Sequence, residues 1–187
     1  MATFSYARSL LEQWGVAVDD IPTSDRKEAD FLATIDGVRV LIEEKTKEED
    51  PARAAARVSK HREGLLHAET LPSIRDETVS GVIRDATKQL KSSSRLPHEF
   101  RLLWFTATGP TAQGKYEQFV ATVYGRTNIL EMNVEGYRRC YFFYFFNYRY
   151  ITFVLACFFI STLALCYMCI MLAAPLGKLF HCSCFVK

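Results

Sequence analysis

The stretch KEADFLATIDGVRVLIEEKTK, residues 27–47, has the pattern of a two-stranded β-hairpin. Its centre is Asp36-Gly37, a dipeptide typical of two-residue hairpin turns because both turn residues must tolerate a positive φ. A slip of one residue would mix the two faces of the hairpin, so its hydrophobic pattern favours a single register. Pairing outward from the turn gives one entirely apolar face, which consists of Ile35 with Val38, Ala33 with Val40, and Phe31 with Ile42.

The other face of the hairpin ends in two carboxylates. The same register places Asp30 opposite Glu43, with Cβ atoms roughly 4.5–5.5 Å apart. Adjacent carboxylates repel each other unless a cation lies between them or one of them is protonated. Lys45, two residues beyond Glu43, projects from the same face of the strand. The pattern therefore offers oxygen ligands for Mg²⁺ and a cation for a phosphate group or an attacking water.

This arrangement resembles the PD-(D/E)xK, or restriction-endonuclease-like, nuclease superfamily. Ala29-Asp30 matches the first motif, with alanine in place of the usual proline, and Glu43-Glu44-Lys45 matches the second. The resemblance implies that Asp30 and Glu43 bind Mg²⁺ or Mn²⁺, and that Lys45 orients the water or stabilises the phosphate. Glu44, on the opposite face of the strand, is expected to be dispensable. A solvated strand end is the alternative interpretation of these charges.

The resemblance also implies an α/β fold, a restriction-endonuclease-like core with a central mixed sheet flanked by helices, over about residues 6–147. The hydrophobic periodicity of the chain agrees with layers of helices and strands. It predicts helices near residues 6–14, 51–62, 78–91 and 116–124, and further strands near residues 16–18, 100–108, 128–133 and 139–146.

Two helical residues are candidate auxiliary residues by the same resemblance. The first core helix of the superfamily often supplies an extra acid, and here that position falls to Glu12. Several branches place a glutamine on the helix after the Glu-x-Lys strand, which corresponds to Gln89, with Lys88 as an alternative. Ordinary exposed helix positions are the competing interpretation of all three.

The predicted helix that begins at Asp50-Pro51 has one basic face. Arg53, Arg57 and Lys60 recur at helical spacing, which suits the phosphate backbone of a nucleic acid and predicts binding that weakens as salt rises. A solvated helix face explains the same residues.

A rival motif lies at residues 109–116, GPTAQGKY, which nearly matches the phosphate-binding loop G-x-x-x-x-G-K-[ST]. Tyr116 replaces the hydroxyl that would contact Mg²⁺, and Pro110 removes an amide donor. Nucleotide binding through this segment is therefore a minor alternative to a plain strand–turn–helix connection.

The composition divides the chain into a nuclease-like domain, residues 1–147, and a hydrophobic segment, residues 148–187. All 21 acidic residues lie before Gly136, and all six cysteines lie at or after Cys140. The first residues lack the basic start and the apolar run of a signal peptide, so the domain is expected in the cytoplasm.

The hydrophobic segment has two interpretations. Residues 151–177 contain no charge, and as a helix they would span about 40 Å, more than the roughly 30 Å of a bilayer core. This predicts a C-terminal hydrophobic helix that crosses a membrane once, with Arg138, Arg139 and Arg149 on the cytoplasmic side. A reading-frame shift near residues 145–150 would produce the same tail from a soluble protein.

The sequence thus predicts a metal-dependent nuclease that hydrolyses DNA phosphodiester bonds, possessing a hydrophobic C-terminal segment. A homodimer is compatible with this function, since many such enzymes cut both strands as dimers. The alternative is a catalytically inactive, membrane-tethered binding module of the same fold.

Overall fold

A six-stranded mixed β-sheet organises the residues that the computed structural model describes, which are 5–22, 27–67, 71–93, 95–130, 132, 135–141, 154–161 and 164–170. The helices are α1 (Tyr6–Gln13), α2 (Pro51–Arg62), α3 (Glu77–Ser92) and α4 (Ala112–Val123). The strands are β1 (Ala17–Asp20), β2 (Phe31–Ile35), β3 (Val38–Lys47), β4 (Phe100–Thr108), β5 (Arg126–Ile129), β6 (Arg138–Tyr141), β7 (Val154–Ser161) and β8 (Ala164–Ile170).

The large sheet has the strand order β1-β2-β3-β4-β7-β8. Strands β1, β2 and β3 form an antiparallel meander, β4 runs parallel to both β3 and β7, and β8 returns antiparallel to β7. Strands β5 and β6 form a separate antiparallel pair. The prediction of an α/β fold with a mixed sheet and flanking helices is confirmed.

The hairpin between β2 and β3 has the predicted register. Asp36 has a φ of +50° and Gly37 a φ of +80°, so both turn residues adopt the left-handed conformation that this two-residue turn requires. Five of the six pairs that this register predicts are strand pairs: Phe31 with Ile42, Leu32 with Leu41, Ala33 with Val40, Thr34 with Arg39, and Ile35 with Val38. The sixth, Asp30 with Glu43, lies one residue beyond the start of β2.

The sheet separates two hydrophobic clusters. On one face, Leu41 of β3 and Phe105 of β4 pack against α3 and α4, and the ring of Phe105 stacks on Phe119 with centroids 4.1 Å apart. On the other face, Ile42 packs with Leu11 of α1. Because side chains alternate along a strand, Glu43 and Lys45 belong to the face that α3 and α4 cover, whereas Glu44 belongs to the α1 face.

Glu44 links β3 to the N-terminus of α1. Its carboxylate accepts hydrogen bonds from the Ser5 hydroxyl and from the Ala7 N–H, the latter at 3.0 Å. The Ser5 Oγ also accepts from the Arg8 N–H at 3.1 Å, as an N-cap does. Glu44 lies on the opposite face from Glu43, as predicted, and there its carboxylate caps a helix, so we expect it to contribute to stability. That it is dispensable for the chemistry of the site stays a prediction.

We expect Glu44→Ala to lower the free energy of unfolding by about 1–3 kcal/mol, because it leaves helix N–H groups without their acceptor. Urea denaturation followed by circular dichroism measures the change. Glu48→Ala, at an exposed position of the following loop, is the control and should change stability by less than about 0.5 kcal/mol. Equal stability of the Glu44→Ala and Glu48→Ala variants would contradict the capping role.

The described part of the hydrophobic tail differs from the prediction. A helix was predicted for residues 151–177, but residues 154–161 and 164–170 form β7 and β8. An apolar run without polar alternation suits a buried strand as well as a helix, and pairing with β4 satisfies the backbone of β7. Across the described ranges, no helix has the length and apolar character needed to cross a membrane.

The prediction of strands near residues 128–133 and 139–146 is confirmed in part. Strand β5 begins and ends earlier than predicted, and β6 is described only as far as Tyr141. The aromatic residues 142–146, which were predicted to continue this strand into the core, lie outside the described residues.

Candidate active site

Asp30 stands immediately before β2 and extends the hairpin by one residue. Its N–H donates to the Ile42 carbonyl at 3.1 Å, which continues the ladder beyond Phe31. Its Oδ2 accepts from the Glu44 N–H at 2.7 Å. These two bonds fix the Asp30 carboxylate beside β3, where it acts electrostatically on the neighbouring Glu43.

Glu43 is a carboxylate in the interior of the protein, with a side chain that is 0% exposed. The pKa of Glu43 is raised to about 7, mainly by burial and secondly by the nearby Asp30 charge, while Lys45 opposes the shift. Its Oε2 is buried and has no hydrogen-bond donor among the described residues. A buried acceptor without a donor favours either a proton or a bound cation at this position.

Lys45 and Gln89 complete the cluster. The Lys45 ammonium forms an ion pair with Glu43 and donates to Gln89 Oε1 at 3.0 Å. The Gln89 Nε2 in turn donates to the Glu28 carbonyl at 3.3 Å. Lys88, the alternative to Gln89, lies 70% exposed and pairs with Asp85. The structure thus brings Asp30, Glu43, Lys45 and Gln89 together.

Glu12 is not part of this cluster. Helix α1 packs on the sheet face opposite to Glu43, and the Glu12 carboxylate accepts from Arg8 Nε at 2.8 Å. Arg8 also pairs with Asp20, so Glu12 belongs to a surface network of charges. The sequence pattern shows that α1 is amphipathic, but not which face of the sheet it covers, so it could not show that Glu12 lies away from the cluster.

The basic residues of α2 lie on an exposed helix. No side chain of α2, all of whose residues are described, is buried. Arg53 and Lys60 are exposed, whereas Arg57 forms a two-pronged ion pair with Glu49, just beyond the end of β3. The helix begins at the predicted N-cap, Asp50, whose carboxylate accepts from the Ala52 N–H at 2.9 Å.

The segment that resembles a phosphate-binding loop has structural roles instead. Only residues 109–111 separate β4 from α4, and the Lys115 ammonium donates to the Thr108 carbonyl at 3.3 Å. Gly114 is required for close packing, since a Cβ there would lie 2.9 Å from the Leu71 side chain. Tyr116 is buried in the core. This arrangement does not support nucleotide binding.

Two residues of the cluster can act as ligands of a magnesium ion. Asp30 and Glu43 supply carboxylate oxygens, and Glu43 Oε2 is the buried acceptor that a cation would satisfy. The described ranges contain no group of three or more acidic, histidine or cysteine residues placed to hold a metal. Mg²⁺ in phosphoryl-transfer sites is often held by one or two carboxylates together with water and substrate phosphates, so two ligands are sufficient.

Comparisons of the chain with protein-family models, with curated proteins and with solved structures find no match.

Ser93 is a residue near the site that the sequence did not reveal. It is fully buried immediately after α3, and its hydroxyl accepts from the Ala29 N–H at 2.7 Å. A serine in the polar run Lys91–Arg95 resembles an ordinary loop residue, so only its burial, which the sequence pattern does not show, marks it.

We expect stability to depend on the ionisation of Glu43. A pKa raised from 4.5 to about 7 in the folded state means that the folded protein binds the proton more tightly than the unfolded chain. The free energy of unfolding should therefore fall as pH rises from about 4.5 to about 7, by up to about 3 kcal/mol.

The comparison of wild type with Glu43→Gln by urea denaturation at several pH values isolates this effect, because glutamine does not titrate. The stability difference between the two proteins should change across this pH interval. A difference that stays constant between pH 4 and 8 would contradict the raised pKa of Glu43.

Proposed function

We propose that this protein is a metal-dependent phosphodiesterase of the PD-(D/E)xK type that hydrolyses DNA. The observation that carries the proposal is the placement of Asp30 beside a buried Glu43 whose Oε2 has no donor among the described residues, with the Lys45 ammonium on the same carboxylate. A mixed sheet with flanking helices agrees with the architecture that the resemblance implies.

In this proposal Asp30 and Glu43 hold Mg²⁺ or Mn²⁺. The ion, when bound, would polarise the scissile phosphate and lower the pKa of an attacking water. Lys45 directs its ammonium toward the same position, where it orients the water or neutralises charge that develops on the phosphate oxygens. Gln89 accepts from Lys45 and keeps the ammonium in place.

The DNA backbone is proposed to cross the carboxyl end of β3, where α2 presents Arg53, Arg57 and Lys60. Two of these side chains are exposed, and Arg57 must exchange its Glu49 partner for a phosphate before it contributes. Cytoplasmic location and a homodimer are parts of this proposal that DNA cleavage does not require.

Asp30→Asn and Glu43→Gln should each abolish Mg²⁺ binding and lower the rate of DNA cleavage at least about 100-fold, because each removes a charged ligand. Calorimetric titration with Mg²⁺ and Mn²⁺ measures binding, and supercoiled plasmid, single-stranded DNA and RNA measure cleavage. Asp36→Asn in the hairpin turn is the matched control, since asparagine tolerates a positive φ.

Lys45→Ala should lower cleavage about 100-fold or more while Mg²⁺ binding persists, because lysine acts on the water or phosphate and not as a ligand. Lys47→Ala, two residues further along the same face of β3 and exposed, should leave cleavage close to wild type. A well-folded wild type that binds no divalent metal and cuts no nucleic acid would contradict the proposed catalytic function and favour the catalytically inactive binding module.

The basic face of α2 gives a separate prediction on affinity. For duplex DNA, the logarithm of the binding constant falls linearly with the logarithm of the salt concentration. Arg53→Ala and Lys60→Ala should each reduce the magnitude of this slope by about 0.9, because each removes one phosphate contact. Fluorescence anisotropy with labelled DNA at several salt concentrations measures this slope. An unchanged slope in both variants would place the DNA on another surface.

A further inference from the structure

The end of α3 contacts the three residues that precede Asp30. Each of residues 27–29 is contacted by at least one of four residues at the end of α3 or just beyond it. We call these four residues, Gln89, Ser92, Ser93 and Arg95, the α3 clamp. Its contacts are Ser92 Oγ to the Lys27 carbonyl at 2.5 Å, Gln89 Nε2 to the Glu28 carbonyl at 3.3 Å, Arg95 to the Glu28 carboxylate at 2.6 Å, and the Ala29 N–H to Ser93 Oγ at 2.7 Å.

Ser93 is the innermost member of the α3 clamp. It is 0% exposed, and its hydroxyl both accepts from the Ala29 N–H and donates to the Gln89 carbonyl at 3.2 Å. Its own N–H donates to the same carbonyl at 3.1 Å. The hydroxyl therefore acts both as a hydrogen-bond acceptor and as a donor, which an alanine or a cysteine does not reproduce.

The bond to Ala29 acts one residue before Asp30. Ala29 is itself buried, and its N–H depends on Ser93 for its hydrogen bond. Asp30 is then held from its other side by the Ile42 carbonyl and the Glu44 N–H. The backbone on both sides of Asp30 is thus fixed, on one side by α3 and on the other side by β3.

The same helix also holds the lysine of the site. Gln89 lies one turn before Ser93, accepts from Lys45 and donates to the Glu28 carbonyl. Since a helix is a rigid element, α3 fixes both the position of Lys45 and that of the residues before Asp30. A shift at the end of α3 would change the separation between Asp30 and the Glu43–Lys45 pair.

We propose that Ser93 is a positioning residue, which acts through Ala29 to hold the Asp30 carboxylate at the distance from Glu43 that a shared cation requires. This inference rests on the proposed function for its catalytic meaning. The hydrogen bonds themselves do not depend on it, and the test below separates the two.

The experiment uses the full chain as wild type, Ser93→Ala and Ser92→Ala. Ser92 is the matched control because its hydroxyl, like that of Ser93, donates to the Gln89 carbonyl, but it contacts Lys27, three residues before Asp30, and not Ala29. Three quantities are measured: Mg²⁺ affinity by calorimetry, kcat and KM for DNA cleavage, and hydrogen exchange of the Ala29, Asp30 and Glu44 amides by NMR.

Ser93→Ala should weaken Mg²⁺ binding about 10-fold to 100-fold, the effect that loss of a residue supporting a metal ligand typically has. It should lower kcat and leave KM for DNA within about 2-fold. Exchange at Ala29, Asp30 and Glu44 should accelerate, while amides in β4 stay protected. Ser92→Ala should change Mg²⁺ affinity less than about 3-fold.

Wild-type Mg²⁺ affinity and kcat in Ser93→Ala would overturn the inference, as would equal losses in Ser93→Ala and Ser92→Ala. A wild type without metal binding or cleavage would reject the proposed function, and amide exchange would then decide alone whether Ser93 holds Asp30. If Ser93→Ala does not fold, Ser93→Cys keeps the size of the side chain but weakens its hydrogen bonds to Ala29 and Gln89, and it should likewise lower kcat and leave KM nearly unchanged.

Discussion

The register of the β2–β3 hairpin is the constraint on which the site depends. The turn at Asp36-Gly37 determines that the exposed Asp30 lies beside Glu43, whose burial makes its charge costly and to which Asp30 adds a like charge. The Lys45 ammonium offsets part of this cost, and the raised pKa of Glu43, about 7, favours a proton on its carboxylate as a second way to offset it. A divalent cation is a third way to neutralise the same pair.

Side chains on the two faces of β3 support different parts of the structure. Glu44 faces α1 and fixes its N-terminus, whereas Glu43 and Lys45 face α3 and build the site. The Glu44 N–H also donates to Asp30, so the strand joins the cap to the site through its backbone. The site is therefore supported by two helices on opposite faces of the sheet, which favours fixed positions for its charged groups.

The local parts of this account could be predicted from the sequence. The hairpin register, the start of α2 and the bounds of β4 follow from turn chemistry, capping and apolar runs, and each agrees with the structure. The contact of Ser93 with Ala29 joins residues far apart in the chain and has no local signal. The side of the sheet that α1 covers, and hence the place of Glu12, likewise depends on tertiary packing.

The hydrophobic tail shows a further limit of sequence patterns. An apolar stretch without alternation satisfies the requirements of a membrane helix and of a buried strand, and periodicity does not distinguish them. Strand β7 pairs with β4, so backbone hydrogen bonding to a long-range partner decides the conformation of residues 154–161. The sequence does not show which partner strand is available.

The most direct test of the central claim is a crystal structure of the full chain with Mn²⁺, which reveals its position by anomalous scattering. We expect a peak between the Asp30 and Glu43 carboxylates, with the Lys45 ammonium displaced from Glu43 and still bound to Gln89. An ordered site without a peak, in which Lys45 stays paired with Glu43 at high Mn²⁺ concentration, would contradict a metal-dependent phosphodiesterase.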